Sequence, residues 1–232
     1  MTPLWLLHGF LGAPASWAGV LEHLARPARA TWLFGHGAPP REVPRDFWAA
    51  VDALAAEMSE PALVVGYSMG GRLALGLACR YPERVRGVVA IGARLGLDEA
   101  ARCARIGWEE SLARKLEREG LPSFVEAWEK LPLFASQAAL PAAKLAAQRA
   151  VRLGHDASAL ARCLRALGTG RMPRLALAPH AIVVRGELDP GAEEAPLPDR
   201  TLAGVGHNPL IEAPETLARL LDTELRTLEN PT

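Results

Sequence analysis

Leu4-Trp5-Leu6-Leu7 is apolar at every position, the pattern of a strand covered on both faces. Ala62 to Val65, Val85 to Ile91 and Ala181 to Val184 read the same way, and Ala30 to Phe34 and Asp199 to Leu202 complete a set of short strands. Between them the apolar positions fall at helical spacing. Ser16-Trp17 opens one such stretch through Val20, Leu21 and Leu24. Asp46 stands as the N-cap of a second, with Phe47, Val51, Leu54 and Met58 on its inner face. A third follows Ser68 and stops near Tyr81-Pro82, and a last runs from about Pro214 to Leu228 with Leu217, Leu220, Leu221 and Leu225 on one stripe. Strands alternating with helices predict an α/β fold with a mostly parallel, doubly wound sheet. Ligands of such sheets bind beyond the carboxyl ends of the strands.

The alternation stops between about Asp98 and Arg171. Trp108, Leu112 and Leu116, then Phe124 and Trp128, then Leu160, Leu164 and Leu167 keep helical spacing, and no strand is read there. Pro122, Pro132 and Pro141 divide the stretch into short helices. The expected organisation is a core of residues 1–97 and 172–232, with residues 98–171 inserted as a helical cap over the crevice.

Composition narrows the function. The 232 residues suit one domain with an insertion, and 26 basic residues balance 26 acidic ones. That balance argues against nucleic acid or an anionic membrane as partner. No apolar run approaches the ~20 residues that span a bilayer, and Met1 runs into the first strand with no basic leader, so a cytoplasmic protein is expected. Cys79, Cys103 and Cys163 lack ligand spacing and read as thiols in a reducing compartment. No metal or organic cofactor is expected, since there is neither a ligand-spaced cluster nor a phosphate-cradling glycine loop. The expected partner is a small molecule.

The chemistry starts at Gly66-Tyr67-Ser68-Met69-Gly70, which has a strand before it and a helix after it. Small neighbours give room to a nucleophile on a tight strand-to-helix turn, and the helix N-terminus points N–H groups at developing negative charge. A serine hydroxyl needs a base, and the base an orienting group. Asp189 and His207 each follow a later strand. Alone, one reads as an Asp-Pro turn and the other as a loop histidine. The order Ser68, Asp189, His207 is the α/β-hydrolase order. The oxyanion hole then needs the N–H of Met69 and one from His8-Gly9-Phe10, with Phe10 as second donor. His8 is read as a brace of that loop. His36 is read as a brace of its own loop or as a ligand contact.

Arg72 lies one helical turn past Ser68, so it either faces the serine pocket and seats a carboxylate or reaches outward to solvent or an acid. The arginines of residues 98–171 read as a solvated face with partners such as Glu109, Glu117 and Glu119.

Leu7-His8-Gly9-Phe10-Leu11-Gly12, Gly66 to Arg72 and Gly206-His207-Asn208 resemble the 2-succinyl-6-hydroxy-2,4-cyclohexadiene-1-carboxylate synthases, α/β-hydrolase-fold enzymes of menaquinone biosynthesis. The resemblance continues through Phe124 to Trp128, Leu131 to Ser136, Arg152-Leu153 and Leu164 to Gly170. It implies a lyase that releases pyruvate from an enolpyruvyl cyclohexene polycarboxylate, with Ser68, Asp189 and His207 as its triad. It also implies that Arg72, Arg105 and Arg152 bind carboxylates, and that Tyr67 and Trp128 line the pocket. Arg102 and Arg149 are alternatives one turn away. A serine carboxylesterase or thioesterase working through an acyl-enzyme is the competing expectation. Two features depart from the pattern: the leading antiparallel strands of larger α/β-hydrolases are not seen, and Phe34 stands where proline is common.

Overall fold

The computed structural model describes residues 1–190 and 199–230. Its strands are β1 (Leu4–Leu7), β2 (Arg29–Thr31), β3 (Ala62–Tyr67), β4 (Val85–Ile91), β5 (Ala181–Gly186) and β6 (Arg200–Leu202). They lie in the order β2-β1-β3-β4-β5-β6, and every pairing among the described residues is parallel. The chain leaves β1 toward one edge, and β3 then returns on the other side of β1. The loops after β1 and β3 therefore diverge and leave a crevice between them. Leu7 pairs with Gly66 there, so His8-Gly9-Phe10 and Ser68 emerge side by side.

Both faces of the sheet are covered, which explains the unbroken apolar runs. Trp5, Leu7, Val64, Val88 and Ala90 pack on α2 (Phe47–Ala56) and α3 (Met69–Arg80). The alternate residues Leu4, Leu6, Leu63, Val65 and Val89 pack on Trp17, Val20 and the C-terminal helix Pro214–Glu229. Each fully buried side chain of this kind stabilises the fold by about 1.5–3 kcal/mol. Asp46 caps α2 as expected, its carboxylate accepting from Ala49 N at 2.8 Å.

Two elements are shorter than their apolar pattern predicts. The first helical stretch is a 3-10 turn, Pro14–Trp17, followed by one turn of α-helix, α1 (Ala18–Leu21), with Leu24 beyond it. β2 ends at Thr31 and not at Phe34, because Leu33 N donates to the His8 ring at 3.0 Å and not to a strand.

Residues 98–171 are helical wherever they are regular: α4 (Glu99–Glu129), a 3-10 helix Pro132–Ala139, α5 (Ala142–Leu153) and α6 (Ala157–Leu167). The break expected at Pro122 falls two residues before it. The break comes at Gly120 (φ +76°), and Pro122 opens the following turn, where its missing N–H has no partner to lose. Ala113, Leu116, Phe124, Trp128, Phe134 and Leu160 form a core of their own, into which Leu11 inserts from the loop after β1.

Candidate active site

Ser68 sits at φ +50°, ψ −109°, a strained conformation for a residue with a side chain. Its surroundings enforce it. Ser68 N donates to Ile91 O at 2.8 Å, and Ser68 O accepts from Arg72 N at 3.0 Å to start α3. A Cβ on Gly66 would stand 2.2 Å from Gly70 O, and one on Gly70 would stand 2.3 Å from Leu7 O. Both glycines are therefore demanded by close backbone approach, and the pentapeptide reads as geometry.

His207 and Asp189 meet this serine from loops 18 residues apart. His207 Nε2 lies 3.2 Å from Ser68 Oγ, and its Nδ1 lies 2.8 Å from Asp189 Oδ2. A carboxylate only accepts, so Nδ1 carries the proton and Nε2 turns its lone pair to the hydroxyl. Asp189 is 4% exposed, which keeps that bond out of competition with water. The three groups predicted from chain order stand in one line of hydrogen bonds.

The loop after β1 is held by histidines. His8 donates from Nδ1 to Gly9 O at 2.8 Å and accepts from Leu33 N at 3.0 Å. His36 donates from Nδ1 to Phe34 O at 2.8 Å and accepts from Leu11 N at 3.0 Å. Both rings are fully buried, and burial pushes His8 down to about 3 and His36 well below the usual imidazole range. They are neutral braces. Phe10, between Gly9 and Leu11, and Met69, the first residue of α3, line the same cavity as Ser68. An amide in the first turn of a helix has no partner within it.

That cavity, about 130 Å³, is lined by Tyr67, Trp128, Glu109 and the arginines Arg72, Arg94, Arg105 and Arg185. Arg72 is 8% exposed and its Nη1 donates to Leu167 O at 2.8 Å. Burial, with Arg105 and Arg94 nearby, lowers it to about 10, so it stays charged at neutral pH. Arg105 Nε donates to Glu109 at 2.8 Å, and Glu109 also accepts from Thr169 N at 2.6 Å and Gly170 N at 3.1 Å. Burial also raises the Tyr67 phenol, which is neutral.

Arg152 is not in this cavity. It is buried over the Phe134 ring, bonds Glu129 at 3.1 Å and lines a neighbouring cavity of about 250 Å³. Phe10, Tyr67 and Phe134 line both cavities, and the charge of Arg152 acts on Tyr67. The alternatives lie elsewhere: Arg149 also pairs with Glu129, and Arg102 is half-exposed beside Glu99. Arg165 and Arg114 sit on the solvated acidic face as expected, bonded to Glu110.

Arg94 and Arg185 were not singled out by sequence. Arg185 carries a readable signal, a charge ending the apolar run of β5. Arg94 sits just past the carboxyl end of β4, in a loop without a motif.

Residues 2–140 match the α/β hydrolase fold family. A Bacillus subtilis (strain 168) relative is 36% identical over 179 residues, which take in 73% of this chain but 65% of that one. The 2-succinyl-6-hydroxy-2,4-cyclohexadiene-1-carboxylate synthase of Serratia proteamaculans (strain 568) is 32% identical over 98% of this chain and 94% of its own. Among solved structures, MenH from S. aureus superposes with a TM-score of 0.87 at 25% identity, covering 99% of this chain and 95% of that one. The chain belongs to the α/β hydrolase fold family and, within it, to the 2-succinyl-6-hydroxy-2,4-cyclohexadiene-1-carboxylate synthases.

Proposed function

We propose that this chain removes pyruvate from 2-succinyl-5-enolpyruvyl-6-hydroxy-3-cyclohexene-1-carboxylate, with residues 98–171 serving as a cap over the site. The observation that carries the reading is a hydroxyl–imidazole–carboxylate line opening into a cavity whose lining includes Arg72, Arg94, Arg105 and Arg185. A neutral ester has no use for that charge. A substrate with several carboxylates does.

The substrate's own structure says where a base must act. The hydrogen at ring carbon 2 is adjacent to the succinyl ketone, so its removal leaves an enolate that the ketone oxygen shares. Ser68 passes its proton to His207 Nε2 and takes this hydrogen. Asp189 stabilises the imidazolium. The electron pair then moves through the ring to form the conjugated diene, and the C–O bond to the enolpyruvyl group breaks. The departing enolate takes up a proton and becomes pyruvate. The N–H groups of Phe10 and Met69 would hold the ketone oxygen as charge develops, an interaction worth about 10²–10³ in rate per donor. Arg72 and Arg105 would set the carboxylates in register with Ser68, an orientation effect of several kcal/mol.

The test is to mix purified protein with the enolpyruvyl precursor and follow pyruvate and diene absorbance together. Equimolar appearance of both above the uncatalysed rate is expected. No acceleration would remove the reading.

A further inference from the structure

His8 and His36 are joined by a third imidazole from the helical segment. His155 precedes α6, whose cap Asp156 accepts from Ala159 N at 2.7 Å, so the helix start fixes where this ring can stand. Its Nδ1 accepts from Gly37 N at 3.2 Å. The ring stands 5.0 Å from that of His36, edge to face, and His36 stands 4.9 Å from His8. Trp32 closes the group, 6.2 Å from His155 and 6.1 Å from His8.

Each imidazole of the stack uses one nitrogen to accept a backbone N–H: His8 from Leu33, His36 from Leu11, His155 from Gly37. His155 Nε2 makes no hydrogen bond, although the Leu11 backbone is close enough to favour its protonation. The stack therefore ties three segments: the loop after β1, the loop after β2, and the start of α6. Leu11, the residue after Phe10, is itself held at φ +61°, a conformation that a branched side chain resists, and only its surroundings keep it there.

We propose that His155 is a positioning residue that sets the Phe10 N–H by seating the helical segment against the Leu33–Gly37 loop and, through His36, against Leu11. The inference rests on the reading of Phe10 as an oxyanion donor. It goes beyond that reading in making the donor's alignment depend on a side chain of the helical segment. A donor displaced by a fraction of an ångström weakens the transition state far more than it weakens ground-state binding.

The test uses the full chain with His155→Phe, which keeps the ring volume but offers Gly37 no acceptor, and His155→Asn, whose Oδ1 stands where Nδ1 was. Two rates are read. One is turnover of the enolpyruvyl precursor. The other is labelling of Ser68 by a neutral p-nitrophenyl phosphonate, whose phosphoryl oxygen occupies the oxyanion hole whatever the natural substrate is. His155→Phe is expected to slow labelling about tenfold and to lower kcat by a similar factor with KM within twofold, while His155→Asn recovers most of both. Both rates are read at a temperature at which thermal melts show His155→Phe to be folded. Labelling within twofold of wild type in His155→Phe, or a change in KM alone, would overturn the proposal. If labelling slows as expected but wild type does not turn over the precursor, the lyase reading falls and the role of His155 stands.

Discussion

Arg72 Nη1 donates to the backbone carbonyl of Leu167 at 2.8 Å, a bond from the first turn after Ser68 to the last residue of α6. It holds the guanidinium inside the cavity and occupies one of its five N–H donors. Replacing it, Arg72→Ala, should lower kcat/KM for the enolpyruvyl precursor roughly 10²- to 10³-fold, since a buried charge partner is worth about 2–5 kcal/mol. Hydrolysis of a small neutral ester, if measurable, should change only a few-fold. Equal losses on both substrates would mean that Arg72 supports the fold and does not read carboxylates, and would favour the esterase alternative.

Asp189 fixes which His207 nitrogen carries the proton. In Asp189→Asn the amide can donate to Nδ1, which turns a protonated nitrogen toward Ser68 and leaves no base. Steady-state assays should show kcat reduced by about 10³–10⁴ with little change in substrate binding. A loss below tenfold would contradict the assigned tautomer.

The core strands and the serine turn were legible because their determinants are local. The cap at Asp46 and the glycine at 66 follow from contacts within a few residues, and Gly70, which the backbone of Leu7 demands, stands inside the same short motif. The order of Ser68, Asp189 and His207 could be read for the same reason, each standing at a strand end. What escaped is set by packing between segments. Leu33 has the apolar pattern of a strand, but its N–H is claimed by His8. The family resemblance put Arg152 with Arg72 and Arg105, but Arg152 lines the neighbouring cavity, which shares Phe10, Tyr67 and Phe134 with theirs. His155 carries no motif at all. Its partners are 118 residues away in Gly37 and across a stack of rings.

The histidine braces predict an acid-labile fold. In the folded chain His8 stays neutral down to about 3, whereas the unfolded chain binds that proton near 6.5. The unfolded state therefore holds more protons throughout that window. Stability is complete above pH 6.5 and falls as pH drops toward 3, by about 1.4 kcal/mol per pH unit for His8 alone, with His36 and His155 adding in the same direction. Urea midpoints recorded between pH 7.5 and 5 should decline with an unchanged m-value. A flat profile would show that these rings are solvated or charged.

Glu109 is 3% exposed and serves Arg105, Thr169 N and Gly170 N at once. Glu109→Ala strands two backbone N–H groups and a guanidinium beside Arg72. A loss of about 2–4 kcal/mol in unfolding free energy is expected from urea denaturation. A change below 0.5 kcal/mol would mean that water replaces the carboxylate at no cost.

The most direct measurement is the rate of pyruvate release by Ser68→Ala from the enolpyruvyl precursor, with wild type alongside. If the Ser68 oxygen removes the ring hydrogen, release should drop by roughly 10³-fold or more while the precursor still binds. Release within tenfold of wild type would show that another group takes the proton, and the account would fail at its centre.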